Sequence, residues 1–316
     1  MLGNLAVVLI LAIATVLLGW LVWRSWRASR LPVRVAGVVL WGLLALVFGL
    51  ITGVMAVGAL QIYGSRGNPV PNITVAGTPE QVARGEHLAN MTCASCHTMD
   101  GRLPMSGGKD IGEQIPLPLG RFVPANLTPA GSIADWTDGE LVRAIREGTD
   151  ARGHLLPIKS SMDFHHLGEE DLNALVAYIR SQPPVETDLP RSGYTPLALV
   201  MAALGMLPIG DVPDPEMPTA PLKAATAAYG DYVAAFMGCS DCHGLDMTGG
   251  GGGLYPEGPT LRVVKAWTEE QFAEAMRTGV SPTRGPLDPA EKPLEGLGKM
   301  DDDELAALHQ YLIGLD

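Results

Sequence analysis

The sequence predicts an all-α protein: an apolar helical hairpin at the N-terminus, then two copies of a small three-helix unit. Three observations carry this. Two long uncharged runs fill most of residues 1–63. Beyond them, apolar residues recur at helical spacing with little strand signal. A block of sequence containing Cys-x-x-Cys-His occurs twice. Charge divides the chain the same way. All 34 acidic residues lie beyond residue 63, with 18 of the 22 basic ones. An apolar anchor therefore joins an acidic, water-soluble body. That body argues against nucleic acid as a partner, because phosphate contacts need basic patches.

The elements follow in order. Leu2 to Trp23 is uncharged; at 1.5 Å per residue it reaches roughly 33 Å, enough to cross a bilayer core. Val35 to Ile62 is a second uncharged run, long enough to cross with tilt. Between them stand Arg24, Arg27, Arg30 and Arg34, with Trp23, Trp26 and Pro32. The positive-inside rule places this turn in the cytoplasm. Residues 1–63 are then a two-pass hairpin in a bacterial cytoplasmic membrane, and everything after Tyr63 is periplasmic. A cleaved signal peptide is the competing reading of the first run. It lacks a basic n-region, and its apolar stretch is too long. Gly42, Gly49, Gly53 and Gly58 permit close helix packing in the second run, a weak signal because Gly is common in such helices. Residues 64–79 are Gly- and Pro-rich and read as a tether.

All four cysteines fall in two copies of one motif, Cys93-Ala-Ser-Cys96-His97 and Cys239-Ser-Asp-Cys242-His243. This spacing reads as c-type haem attachment. Two thiols one helical turn apart add to the haem vinyls, and the adjacent His sits under the iron. A zinc knuckle, a thioredoxin-like pair or disulfides are the competing readings. Two copies that use every cysteine, on the outer side of an anchor, argue against them.

The flanking sequence repeats too. Trp136-Thr137-Asp138 through Gly148 matches Trp267-Thr268-Glu269 through Gly279. Thr137 and Thr268 read as N-caps, and the glycines as C-terminal stops. Gly168 to Ile179 matches Asp301 to Leu312, with Leu172, Leu175, Val176 and Ile179 in one copy and Leu305, Leu308 and Leu312 in the other at helical spacing. A further helix precedes each Cys-x-x-Cys-His, over 80–92 and 222–238. The domains expected are thus 80–186 and 222–316, joined by a Pro-rich linker over 187–221.

These residues resemble the class I cytochrome c fold. The chain is similar to the tandem cytochrome c domains of membrane-bound dehydrogenase cytochrome subunits and related dihaem respiratory cytochromes. The paired motifs, Asn126-Leu-Thr-Pro129 before Trp136-Thr137, and the run Leu172 to Pro184 carry the likeness. It covers about 80–186 and 224–315. Gly258-Pro259-Thr260-Leu261 looks like the family's Gly-Pro-Asn-Leu, whose Pro carbonyl orients the proximal His. The first copy has Pro124-Ala125-Asn126-Leu127 instead, which puts that role in doubt there.

The resemblance implies two haem c groups with His97 and His243 as proximal iron ligands. Relatives bind the far side of the iron through a Met-Pro at fixed spacing before the last helix. Counting back from Leu167 and Met300, that position falls on Lys159 and Lys292, two of only six lysines in the chain. Lysine ligation is therefore expected at both sites, with Met162 and Met300 as the fallback distal ligands. His165 and His166 offer bis-His ligation in the first copy alone, and a five-coordinate iron is a further reading. A buried lysine amine loses its proton more readily and so can bind iron.

In the linker, Leu197 to Ile209 is apolar and too short to span a membrane. Docking on a partner or on the membrane surface is one reading; packing between the haem domains is the other. Gly249 to Gly253 reads as a flexible loop, since a phosphate cradle needs a preceding strand. The function implied is electron transfer as a subunit of a respiratory or photosynthetic complex, not catalysis by this chain alone. Its partners would be membrane lipid, other subunits and a redox partner protein. The rivals are the dihaem subunit of a haem–copper oxidase, a dihaem peroxidase, which needs an open iron and acid–base residues, and a redox sensor.

Overall fold

The computed structural model describes all residues except 159–163, 208, 251–256, 288–293 and 316. In chain order the helices are α1 (Leu2–Trp26), α2 (Leu31–Tyr63), α3 (Pro79–Thr92), α4 (Ala94–His97), α5 (Asp138–Glu147), α6 (Glu169–Ser181), α7 (Pro196–Ala203), α8 (Ala227–Phe236), α9 (Cys239–His243), α10 (Glu269–Thr278), α11 (Leu294–Leu297) and α12 (Asp302–Ile313). Among the described residues, strand structure is two antiparallel pairs of two residues each and one isolated bridge between Thr149 and Leu155. β1 (Gly120–Arg121) pairs with β2 (Gly193–Tyr194), and β3 (Val280–Ser281) with β4 (Gly285–Pro286). The protein is all-α, as predicted.

The chain forms two compact units. One contains residues 1–65, 112–122 and 192–209; the other contains 66–111, 123–191 and 210–316.

In the first unit, α1 and α2 pack side by side. They are 25 and 33 residues long, and each contains a stretch apolar enough and long enough to cross a membrane. Most of their large side chains face outward, Leu9, Leu17, Leu43 and Leu46 among them. An apolar helix left bare on most sides is suited to lipid and not to water, so the pair fits a membrane anchor. The connection is tight because Pro32 sits in the first turn of α2, where its missing N–H costs nothing. Its arginines lie over indole rings: Arg27 over Trp23 at 3.8 Å and Arg34 over Trp26 at 3.9 Å. Such stacking keeps a cation beside an apolar surface.

The apolar segment that begins at Leu197 belongs to the first unit. Its helix α7 packs on the end of α2, with Leu199 and Ala202 against Met55, Ala59 and Ile62. The backbones meet so closely that a Cβ on Gly58 would overlap the Leu199 carbonyl. Of the four glycines noted in the second apolar run, Gly58 is the one that this contact requires. Asn4 is buried at the same end and donates from Nδ2 to the Tyr63 hydroxyl and the Tyr194 carbonyl, both at 2.8 Å. Residues 112–122, expected within the first haem domain, also belong to this unit, where Leu119 O accepts from Thr195 N–H at 2.8 Å.

The second unit holds both repeats. In each, the first helix crosses the last one at a glycine. A Cβ on Gly85 of α3 would overlap the Ala174 carbonyl of α6 and stand 2.8 Å from Tyr178 Cβ. A Cβ on Gly230 of α8 would meet the Ala307 carbonyl of α12 and Tyr311 Cβ in the same way. Side-chain-free crossings let two helices approach within backbone contact. The middle helices are closed at both ends as predicted. Thr137 and Thr268 cap α5 and α10 in full capping boxes with Glu140 and Gln271, and Gly148 and Gly279 end them at φ 64° and 72°.

The two repeats share one apolar core. Leu88, Met91, Leu172 and Leu175 from the first join Tyr229, Phe236, Leu297 and Leu305 from the second in one buried cluster. A polar network crosses the same seam. Arg84 makes two bonds to Asp171, at 2.8 and 3.0 Å, and reaches Glu304 at 3.0 Å and the Tyr229 hydroxyl at 3.0 Å. The Tyr232 hydroxyl donates to Asp171 at 2.7 Å, and His87 Nε2 lies 2.7 Å from Glu304. Lys223 closes the network on Asp301 and Glu304. Ion pairs and hydrogen bonds therefore link the two halves across the seam, with Glu304 fully buried among them.

Two candidate haem-attachment sites

Each site begins where the first helix of its repeat stops. Cys93 ends α3, its N–H still bonded to Ala89 O at 2.9 Å. The next residues make one more turn, α4, in which His97 N–H bonds Cys93 O at 2.9 Å. Cys93 and Cys96 thus stand three residues apart along one turn, with His97 directly after. In the second site Gly238, at φ 67°, breaks the chain between α8 and α9, and Cys239, Cys242 and His243 occupy α9.

The imidazoles are held alike. His97 Nδ1 lies 2.8 Å from Ala125 O, and His243 Nδ1 lies 2.7 Å from Pro259 O. A carbonyl can only accept, so Nδ1 carries the proton and Nε2 keeps its lone pair for a metal. The first site therefore has its orienting carbonyl although Ala125 stands where the other site has Pro259. The group that acts is backbone, and the side chain is immaterial.

The loop behind each His also repeats. Gly107 N–H bonds His97 O at 2.9 Å, and Gly249 N–H bonds His243 O at 2.8 Å. Gly108 N–H bonds Pro124 O, and Gly250 N–H bonds Gly258 O, both at 3.2 Å. Gly107 and Gly249 sit at φ 107° and 98°, which L side chains avoid. The first two glycines of the five-glycine run are thus fixed parts of the His support, a correction to the flexible-loop reading. Gly251 to Gly253 lie outside the described residues. Gly258 is needed for space, because a Cβ there would stand 2.7 Å from His243 Nδ1.

Above Cys239, Cys242 and His243 opens a cavity of about 430 Å³. Leu261, Val264, Phe272, Met276, Leu297 and Leu308 give it apolar walls, and Ser281, Thr283 and Arg284 add polar groups to its lining. Trp267 also lines it, and its buried Nε1 has no hydrogen-bond partner among the described residues. Two thiols on one turn, an imidazole held through Nδ1 on a backbone carbonyl, apolar walls and a few polar lining groups suit a flat apolar macrocycle carrying iron and carboxylates. The residues fit haem.

They do not fit zinc. Among the described residues, neither motif gathers its thiols and imidazole within 4.8 Å of one another, whereas ligands about 2.0–2.3 Å from one tetrahedral zinc must converge.

Of the expected distal ligands, Lys159, Lys292 and Met162 lie outside the described residues. Met300 is buried, with its N–H on Leu297 O at 3.3 Å, and belongs to the shared core, not to the described cavity lining. His165 and His166 stack on each other, ring centroids 4.1 Å apart, in a short turn over Phe164–His166. Met276 of α10, which lines the cavity, was not singled out from sequence. Nor was the Trp267 indole, although the repeat had already paired it with Trp136.

Fold and sites together define an all-helical protein built to hold covalently attached haem. A family model for cytochrome c matches residues 82–183 and 227–316, and the chain belongs to that family. Among curated proteins it is similar to a subunit of the nicotinate dehydrogenase of Pseudomonas putida, 28% identical over 87% of this chain and 25% of that protein. It is also similar to the fructose dehydrogenase cytochrome subunit of Gluconobacter japonicus, 29% identical over 45% of this chain and 29% of that protein. The chain therefore spans less than a third of the length of each relative. Covalent haem c and electron transfer follow from the family.

Proposed function

We propose that this chain carries two haems, one on Cys93, Cys96 and His97 and the other on Cys239, Cys242 and His243. It passes electrons from a membrane-bound dehydrogenase or quinol-oxidising partner to an acceptor outside the membrane. The observation that carries this is the repetition of one complete His support in two halves that share a core: cysteine turn, Nδ1 bonded to Ala125 or Pro259, and paired glycines. A bound haem supplies one-electron exchange at its iron. The chain's part is to hold each imidazole in one tautomer, to exclude water with apolar walls, and to link the halves through Arg84, Asp171 and Glu304. Domains 80–186 and 222–316 would each carry one haem. Lys159 and Lys292 would take the distal position, with Met162 and Met300 the fallback. Residues 1–63 would cross the cytoplasmic membrane twice and leave both haems on the periplasmic side.

Both relatives are named as dehydrogenase subunits, which supports a dehydrogenase as partner here. The test is purification of the tagged chain from its native membranes in mild detergent. A companion dehydrogenase is expected, and its substrate, added anaerobically, should reduce both haems. A lone chain whose haems no companion reduces would refute the reading.

A further inference from the structure

We propose that α7, with Leu204 and Met206 just after it, lies in the outer leaflet of the membrane, so that lipid grips the chain between its two haem-binding repeats. This rests on the reading of α1 and α2 as a membrane hairpin.

No charged residue occurs from Ser192 to Gly210. Helix α7, Pro-Leu-Ala-Leu-Val-Met-Ala-Ala, is apolar on every side. One side is already used: Ala198, Leu199, Met201 and Ala202 are buried, with Leu199 and Ala202 on α2. The other side is bare. Leu197 is 39% exposed, Leu204 61% and Met206 59%. A soluble surface helix would carry polar residues there.

The occupant follows from what α7 is attached to. It packs on Met55 to Ile62, the last turns of the apolar run of α2. On those same turns Val57 is 48% and Leu60 72% exposed, so the bare side of α7 continues the bare belt of the hairpin. Eight residues cannot span a bilayer, and an apolar helix of that length rests at its boundary. The polar groups at this end support the same placement. Asn4, Tyr63 and the Tyr194 carbonyl satisfy one another, as groups short of water must. A protein partner would more commonly meet a patch rimmed with polar side chains.

The test uses the full-length, haem-loaded protein in vesicles of phosphatidylethanolamine and phosphatidylglycerol. Leu204→Cys and Met206→Cys carry a nitroxide label, with Leu46→Cys in the middle of α2 and Leu222→Cys on the second unit as references. Collision with oxygen, which concentrates in lipid, is compared with collision with a water-soluble nickel chelate. The expected result is an oxygen-to-nickel ratio at 204 and 206 several-fold above that at 222 and below that at 46, as a position near the bilayer boundary requires. A ratio like that at 222, or shielding from both reagents by a protein cover, would overturn the proposal while leaving the hairpin in lipid. A water-like ratio at 46 would overturn the membrane reading and the proposal together.

Discussion

Glu304→Gln is the most informative single perturbation of the seam between the two repeats. The Glu304 side chain is fully buried and accepts from Arg84, His87 and the Asp301 N–H at 3.0, 2.7 and 3.1 Å. Burial alone would raise its pKa, but the bond and charge of His87, the Asp301 N–H and the charge of Lys223 outweigh this and lower it to about 2. Against the ordinary 4.5, and at about 1.4 kcal/mol per pKa unit, the ionised form contributes at most about 3.5 kcal/mol. Some of that is lost to screening where Arg84 and Lys223 reach solvent. A group whose pKa is depressed on folding stabilises above its unfolded pKa and loses that effect as pH falls. The contribution should therefore be whole near pH 7 and fade below about 4.5, toward about 2. Glutamine keeps the volume but leaves Arg84 with Asp171 as its one ionic partner among the described residues, and breaking a buried pair costs about 3–5 kcal/mol. Urea unfolding of the haem-loaded chain in detergent, followed by far-UV circular dichroism between pH 7 and pH 3, checks this. The variant should be less stable by about 3 kcal/mol at pH 7 and should lose less on acidification than the parent. A difference within about 0.5 kcal/mol at pH 7, or parallel acid profiles, would refute the reasoning.

Three further outcomes are expected. Gly85→Val and Gly230→Val force side chains into backbone at the helix crossings, which should cost more than the roughly 1–3 kcal/mol of ordinary overpacking. Each should abolish haem-staining protein, whereas a normal yield would show that the crossing tolerates a side chain. Thr137→Ala and Thr268→Ala each remove a capping box and should cost about 1 kcal/mol apiece, measurable in the same urea titration. Lys159→Ala and Lys292→Ala should change the ferric spectrum of one haem each. A methionine–iron charge-transfer band present in the parent and surviving both substitutions would refute lysine ligation.

Features set by a few neighbouring residues were legible in the sequence, because their causes are local. Thr137 and Thr268 cap their helices wherever those helices lie, and Gly148 and Gly279 must stop them. The same holds for Cys93 to His97, whose spacing is one helical turn. The apolar hairpin was legible because charge is missing over whole runs. What escaped depends on surfaces that meet far apart in the chain. Nothing near Gly85 announces that Ala174 will cross it, although Gly230 occupies the matching place in the repeat. Arg84, Asp171 and Glu304 read singly as ordinary surface charges. Composition alone does not pair Leu199 with Gly58, so the apolar run Leu197 to Ile209 is compatible with several resting places. Ala125 was doubted because its side chain departs from the family's Pro, whereas the carbonyl is what acts. Gly249 and Gly250 looked loose because their run was read alone, not beside Gly107 and Gly108.

Covalent haem content per chain tests the central claim most directly. A pyridine haemochrome assay against amino-acid analysis should give two haem c per polypeptide, falling to one when Cys239 and Cys242 are both replaced by Ser. One haem in the unaltered chain, or two that survive loss of both thiols, would contradict the account.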